Sequence, residues 1–260
     1  MGLLVEELGE PVARFRYPDA KTFKTMVDSL AKILDEASFR VSSEGVRVVG
    51  MDPARVALIQ VEMPYESFLE LEVSGDREYV EAGFNMGVLK DMLKRGKKGD
   101  VVEFRITDDR VLIIVEGKVF KRYLVPNLEV VTEAPESVKL EHSVEAVVLG
   151  DVLKRALRDA EIVSDIVEFE ADEDRLVIRG TGEGRSKAEA ILTMESTALI
   201  DLQVREPARS SYDIQYLKNV VGLTGIAEAV EVKFSSEKPL ELVFRSPEGS
   251  RVRYLLAPSS

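Results

Sequence analysis

An α+β chain built twice over is what this sequence predicts, and three observations predict it. A helical stretch followed by a β-hairpin recurs four times, over residues 19–52, 86–117, 151–182 and 211–244. The hairpin DVVEFRITDDRVLI, beginning at Asp100, returns as DIVEFEADEDRLVI, beginning at Asp165, a match too long for chance within one chain. Between the second and third units lies Val125–Glu136, VPNLEVVTEAPE, with two prolines and no regular helical pattern. A hairpin cannot bury its apolar face alone, so each helix is expected to cover one. The predicted division is an N-terminal extension over 1–11, a first domain over 12–124, a linker over 125–136 and a second domain over 137–260.

Residues 19–37, DAKTFKTMVDSLAKILDEA, place Phe23, Met26, Val27, Leu30, Leu34 and Ala37 at helical spacing. Asp19, after Pro18, is placed to cap the start. Lys21, Lys24 and Lys32 project away from that stripe, with Asp28 among them. FRVSSEGVRVVGMD (39–52) reads as two alternating strands about a turn at Ser43–Gly45. VALIQVEMP (56–64) and SFLELEV (67–73) read as further strands. In MGVLKDMLKRGKK (86–98), Val88, Leu89, Met92 and Leu93 form the inward side. Lys90, Lys94, Arg95, Lys97 and Lys98 gather on its outer face and at its end, where cations also suit a helix C-terminus. The hairpin over 100–117 turns at Asp108–Asp109, and KVFKRYLVP (118–126) continues as a strand. Beyond the linker, SVEAVVLG (143–150) is a strand. DVLKRALRDAEI (151–162) is a helix with Val152, Leu153, Ala156, Leu157 and Ala160 inward and Lys154, Arg155 and Arg158 elsewhere. After the hairpin at 165–182, KAEAILTM (187–194) and ALIDLQV (198–204) are strands. SYDIQYLKNVVG (211–222) is the fourth helix, with Ile214, Leu217, Val220 and Val221 inward. VEVKFSSEKPLELVF (230–244) and RVRYLLAP (251–258) close the chain as strands.

Composition narrows the chemistry. At 260 residues and 45% hydrophobic content the chain can fill two ordinary domains. No run of 18 apolar residues predicts a membrane span, and MGLLVEELGEPVARF lacks the basic start and apolar core of a signal peptide. With no cysteine there are no disulfides, thiol catalysis or thiolate metal sites, which fits a cytoplasmic protein. Charged residues at 32%, with no Cys or Trp, lean toward a thermophile's composition. His142 is the only histidine, which excludes a histidine-based triad or a multi-histidine metal site. Gly180–Gly184 lacks dinucleotide-loop spacing, and KRGKKGD (94–100) lacks the Ser or Thr of a P-loop. The acidic runs Asp108–Asp109 and Asp172–Asp174 fall at hairpin turns, where Asp is favoured for local hydrogen bonding. No catalytic residue, metal ligand or cofactor is expected.

The net charge is −12, from 47 acids and 35 bases. The four helix windows, 19–37, 86–98, 150–161 and 209–222, hold thirteen bases and nine acids, a balance of +4 that leaves −16 for the rest. Helices gathered on one side would give an acidic protein a basic face able to track phosphates without reading bases. Ordinary solvated helix faces carry such charges too, so charge alone decides nothing.

Residues 42–63, SSEGVRVVGMDPARVALIQVEM, resemble the sliding clamp of DNA replication, proliferating cell nuclear antigen, in its archaeal type. RYLLAP (253–258) resembles that family's closing strand, where Leu-Ala-Pro is a signature, and the resemblance spans roughly residues 12–258. It implies the DNA clamp fold: two similar domains, each with two helices on one face of antiparallel sheets, three copies making a pseudo-sixfold ring. Such a ring encircles double-stranded DNA as a processivity factor in DNA replication and DNA repair, and is no enzyme. The DNA-facing residues would be Lys21, Lys24, Lys32, Lys90, Lys94, Arg95, Lys97, Lys98, Lys154, Arg155, Arg158, Arg209 and Lys218.

The resemblance further implies a pocket for short peptide motifs of DNA polymerase, clamp loader, flap endonuclease and DNA ligase. Its walls would be Met51, Leu58, Leu128, Val130, Pro239, Leu255, Ala257 and Pro258, with Leu255 standing where eukaryotic clamps have an aromatic residue. Ring closure would use edge strands at Lys118–Leu124 and Arg185–Thr193, through Lys118, Val119, Phe120, Lys121, Arg122, Tyr123, Arg185, Lys187, Ala190 and Leu192. Homotrimer and heterotrimer with sister subunits both fit. A checkpoint-type clamp subunit, or an unrelated duplicated α+β protein that binds a small molecule, is the alternative.

Overall fold

The computed structural model describes residues 8–135 and 137–259. One order of elements is traversed twice. The first pass runs β1 (Ala13–Tyr17), α1 (Ala20–Leu30), β2 (Glu36–Ser42), β3 (Gly45–Met51), β4 (Ala57–Pro64), β5 (Glu70–Val73), β6 (Tyr79–Asn85), α2 (Met86–Leu93), β7 (Val101–Ile106), β8 (Arg110–Glu116) and β9 (Lys121–Pro126). The second runs β10 (Val144–Leu149), α3 (Gly150–Glu161), β11 (Ile166–Ala171), β12 (Arg175–Thr181), β13 (Lys187–Thr193), β14 (Leu199–Val204), β15 (Ala208–Asp213), α4 (Ile214–Lys218), β16 (Ala229–Phe234), β17 (Leu240–Arg245) and β18 (Arg251–Leu256).

Two compact units result. Among the described residues, the first holds 8–53, 59–135 and 246–252, and the second holds 54–58, 137–245 and 253–259. The expected contiguous domains are thus corrected. Two short segments belong to the unit other than the one their sequence position implies, and the linker, to Pro135, belongs to the first. Residues 1–7 of the expected extension and Glu136 of the expected linker lie outside the described residues. Leu8 is 6% exposed and packs with Leu112, Ile114 and Leu124, so this one residue of the expected extension joins the first unit's core.

The first unit has the sheet β5-β1-β7-β8-β9 and the run β4-β3-β2-β6. The second has β14-β10-β16-β17-β18 and β13-β12-β11-β15. Position by position these are one arrangement repeated. The two matching hairpins are β7-β8 and β11-β12, and they share a turn: Thr107 N–H donates to Arg110 O at 2.9 Å, and Asp172 N–H to Arg175 O at 3.1 Å. They do not occupy equivalent places, since β7-β8 corresponds to β16-β17 and β11-β12 to β2-β3. The sequence match therefore joins half-domains, and each unit repeats a strand–helix–hairpin motif within itself.

The first core is aromatic. Phe15 stacks on Phe104 with centroids 4.7 Å apart, and Phe23, Phe39, Phe68, Phe84 and Tyr17 surround them. Such pairs add to simple burial. Burial pushes the Tyr17 hydroxyl up to about 12, against the hydrogen bond to Ser250 Oγ at 2.8 Å. The second core is mostly aliphatic, with Phe169 edge-on to Tyr212 and Phe234.

Several expected boundaries move. Helix α1 stops at Leu30, because Ala37, Phe39 and Val41 already alternate with strand period and bury against β3 and β6. Lys32 lies in the turn that follows. Helix α2 stops at Leu93, ahead of Gly96 and Gly99, and its Val88 is 49% exposed rather than inward. The fourth helix shrinks to Ile214–Lys218, because Ala208–Asp213 pairs with β11 and Gly222 and Gly225 follow in a 3-10 turn. Strands β1, β6 and β15, unassigned from sequence, complete the sheets.

Candidate nucleic-acid interface and partner surfaces

Asp19 organises the start of α1. Its Oδ1 accepts the Thr22 N–H at 2.7 Å as an N-cap, and its Oδ2 accepts the Gly99 N–H at 2.8 Å. Burial pushes its carboxyl up, but these donors and Lys98 outweigh burial and hold it below the usual carboxylate value. The loop after α2 is thereby fixed to the start of α1, and Ala20 N–H adds a 2.7 Å bond to Asp100 O.

The bases expected on the helices now separate. Lys21 and Lys90 are exposed on α1 and α2. Lys94, Arg95, Lys97 and Lys98 are exposed in the loop beyond α2, not on it. Lys24 pairs with Asp28 one turn along. At Lys32, burial and the repulsion of Lys90 outweigh the pull of Asp28 and hold the ammonium below its ordinary value. On α3, Arg155 pairs with Asp151 at 2.8 Å, while Lys154 is half-buried and Arg158 exposed. Lys218 on α4 pairs with Glu161 at 2.5 Å. Arg209 requires correction. It sits on β15, paired with Glu168 of the adjacent strand at 2.5 Å, because ARSSYD alternates as a strand.

The expected pocket residues divide between the units. In the first, Met51 ends β3, and Leu128 and Val130 are half-buried in the linker. The linker is held to β6: Leu128 N–H donates to Gly83 O at 3.1 Å, and Asn127 Oδ1 accepts the Gly83 N–H at 2.8 Å. Asn127 Nδ2 donates to Glu81 O and Thr107 O, each at 3.0 Å. A Cβ on Gly83 would sit 1.9 Å from Leu128 O, so this approach requires glycine. Leu128 lines an apolar recess of about 180 Å3 with Val125, Pro126, Phe84, Val88 and Met92. Sequence reading missed the helix side of that recess, because Val88 and Met92 passed for core.

In the second unit, Leu58 and Leu255 are buried, at 4% and 7% exposure. Both side chains, expected among the pocket walls, are packed in the core. Ala257 N–H donates to Val56 O at 2.9 Å, and Pro239, Ala257 and Pro258 are half-exposed. Pro258 lines a polar cleft of about 550 Å3 with Arg209, Glu168, Ser210, Ser236 and Ser259. Arg209 thus shares a cleft with an expected pocket residue. Upstream on β18, Arg253 Nη2 donates to Glu241 Oε2 at 2.8 Å, His142 Nε2 meets the same oxygen at 3.1 Å, and Arg253 Nη1 donates to Val138 O at 2.8 Å.

The expected assembly strands are both outermost in their sheets, β9 beside β8 and β13 beside β12. Lys121, Arg122 and Tyr123 lie on β9. Lys118, Val119 and Phe120 precede it in a loop, with Val119 67% and Phe120 63% exposed. Arg185 lies in a one-turn 3-10 segment at φ 67, outside β13, which begins at Lys187. Alternation turns Leu192 into the unit's own core at 5% exposure and leaves Ala190 half-buried, whereas Ile191 between them is 51% exposed. Leu192, expected as a contact residue, therefore faces the unit's own core, and Ile191 is the exposed neighbour on the opposite face. Among the described residues, no group of three or more Asp, Glu or His could hold a metal, and no helix is long and apolar enough to cross a membrane.

A duplicated α+β chain with exposed cations on its helices and open outer strands has the architecture of a DNA clamp. Residues 13–132 match the N-terminal domain of proliferating cell nuclear antigen. DNA polymerase sliding clamp 1 of Aeropyrum pernix is 55% identical over 246 residues, covering 95% of this chain and 99% of that one. The DNA polymerase sliding clamp of Pyrococcus horikoshii is 35% identical over 243 residues, covering 93% and 96%. The crystal structure of proliferating cell nuclear antigen from Thermococcus kodakaraensis superposes with a TM-score of 0.87 at 27% identity, covering 95% and 100%. The PCNA2–PCNA3 complex from Sulfolobus tokodaii shares the fold, with a TM-score of 0.86 at 22% identity, covering 94% and 98%. The chain belongs to the proliferating cell nuclear antigen family of DNA polymerase sliding clamps.

Proposed function

We propose that this chain acts as a DNA sliding clamp, a non-enzymatic processivity factor for DNA polymerase and a docking platform for replication and repair proteins. Three copies, identical or with sister subunits, close a ring on double-stranded DNA in the cytoplasm of a prokaryotic cell. Family membership carries the reading. The outermost positions of β9 and β13 support it, since open edges with exposed apolar residues beside them are suited to head-to-tail pairing. Exposed, unspecialised cations on the helices and the α2 loop support loose phosphate contact that permits sliding. Pro239, Ala257 and Pro258 near the chain end, and Leu128 in the linker, are the residues proposed to meet partner peptides.

The test is mass in solution combined with polymerase stimulation. A trimer that stimulates a polymerase on primed circular DNA, and on linear DNA only with blocked ends, is expected. A monomer without that effect, alone or mixed with sister subunits, overturns the proposal.

A further inference from the structure

The outer face of the first unit's sheet changes character across its width. Residues directly opposite one another in neighbouring strands share a face. Phe15, Phe104, Ile113 and Tyr123 line the core side. The outer side carries Arg14, Arg16, Glu103 and Arg105 on β1 and β7, joined to each other and to Glu70 and Glu116 by ion pairs. On β8 and β9 the same side turns apolar, with Leu112, Ile114 and Leu124. An outer face would ordinarily be wet, yet Leu112 is fully buried and Ile114 nearly so. Leu8 packs on them and on Leu124.

Leu8 reaches that patch from the start of β1. Val12 N–H donates to Ile106 O at 2.7 Å, and Ser74 N–H donates to Val12 O at 2.8 Å, which holds the chain on the sheet just before Ala13. Upstream, Gly9 takes φ +80, the left-handed region that suits glycine and lets the chain turn. In the order β1-β7-β8-β9 the outermost strand lies three places from β1. At about 4.8 Å per strand that is roughly 14 Å, within reach of the stretch from Leu8 to Ala13 at about 3.3 Å per residue.

The second unit repeats this path with other chemistry. Ser143, just before β10, donates its N–H to Ser235 Oγ at 2.8 Å and accepts from Arg205 N–H at 2.8 Å. On the last hairpin, β17-β18, Glu241 stands where Leu112 stands, counted from the matching pairs Val144–Phe234 and Ala13–Ile106. His142 meets Glu241 at 3.1 Å, and Arg253, the ion-pair partner of Glu241, donates to Val138 O at 2.8 Å. In each unit the residues before the first strand return over the last hairpin. The second unit closes this contact with a polar clasp and the first with a leucine.

We infer that Leu8 is a positioning residue for assembly: the segment before β1 is an arm that holds the outermost strand β9 to its sheet from the outer face, so that its open edge is presented to another clamp subunit. The inference rests on the sliding-clamp reading and deepens it. The match to the family's N-terminal domain begins at residue 13, so Leu8 lies ahead of that shared domain. Strand β9 has β8 alone beside it in its sheet. Leu8 adds a second hold without occupying the edge that pairing needs.

Two measurements test this. Sedimentation over a concentration series gives the association constant. Hydrogen exchange over residues 121–126, followed below the concentration at which copies associate, reports how firmly β9 is held. Leu8→Asp is expected to speed that exchange and to weaken association, each at least about tenfold, equivalent to about 1.4 kcal/mol. Leu8→Met restores both. Leu8→Ala moves both in the same direction and carries the test if Leu8→Asp fails to fold. Leu71→Ala is the control, a buried residue of β5 on the opposite edge of the same sheet. It should lower thermal stability and leave association unchanged. Unchanged exchange in the folded Leu8 variants, faster exchange with unchanged association, or an equal loss of association in Leu71→Ala overturns the inference and leaves the clamp reading intact. An unaltered protein that stays monomeric, alone and with sister subunits, overturns both.

Discussion

Glu241 offers the most quantitative test of how the second unit is held together. Its side chain is 10% exposed and faces His142 and Arg253, the latter only 11% exposed. Burial pushes the carboxyl up, but the hydrogen bonds from His142 and Arg253 and the Arg253 charge outweigh it, so the group sits at about 2 against an ordinary 4.5. A carboxyl lowered by that much contributes about 3 kcal/mol to the folded state. The sign is that of a depressed acid. The contribution is fully present above pH 4.5 and is lost as the pH falls towards 2, with about 2 kcal/mol gone by pH 3. Glu241→Gln also leaves the Arg253 guanidinium buried without its counter-charge, and removing one member of a buried pair costs about 3–5 kcal/mol. Urea unfolding at fixed protein concentration is the assay, because association adds to apparent stability. The variant is expected to be about 3 kcal/mol less stable at pH 7, with the gap to the unaltered protein narrowing by about 2 kcal/mol at pH 3. A deficit below about 1 kcal/mol at pH 7, or a gap that does not narrow, refutes the reasoning. Arg253 lies two residues before Leu255, so loosening it should also weaken the hold on Ala257 and Pro258.

Gly83→Ala forces a Cβ against Leu128 O; the expected result is a loss of about 1–3 kcal/mol and faster hydrogen exchange at Leu128, and unchanged exchange there would count against the close approach. On β13, Ile191→Arg should convert the assembled protein to monomers with thermal unfolding of the monomer little changed, whereas Leu192→Ala should destabilise the fold by about 2–4 kcal/mol; analytical centrifugation and calorimetry separate the two, and the reverse pattern refutes the assignment of faces. Leu58→Ala is expected to cost about 2–4 kcal/mol in urea unfolding because its side chain is buried. Pro258→Ala should leave stability nearly unchanged while weakening partner-peptide binding, and full binding by that variant removes Pro258 from the site.

The repeated helix–hairpin unit is readable because its signals are local. Period-two alternation in Ala37, Phe39 and Val41, or in Val102, Phe104 and Ile106, needs no tertiary context to be seen. Strand β15 is not readable, because Arg-Ser-Ser-Tyr-Asp is polar and becomes a strand only by pairing with β11. The helix ends are overrun for a related reason: Leu34 and Ala37 sit at helical spacing from Leu30, yet the chain has already turned. For the surfaces, residue type is a fair guide to the cations and a poor one to the pocket. Lys94 and Lys97 are exposed as expected even though the helix beneath them ends early. Burial of Leu58, Leu192 and Leu255 depends on which face of a strand points inward, and sequence alone leaves that to register.

The hold of Asn127 on β6 reaches beyond positioning a linker. Its side-chain amide accepts from one backbone group of Gly83 and donates to Glu81, and Leu128 adds a main-chain bond, so the linker occupies hydrogen-bonding positions that a neighbouring chain could otherwise take. The linker is in this respect a guard against templated pairing. If a protease cuts it, or a partner lifts it away, β6 is left with donors and acceptors open to any extended peptide, including another copy's linker. Asn127→Ala, by withdrawing three side-chain bonds at once, should therefore raise the tendency to aggregate on heating more than its cost in stability alone would account for.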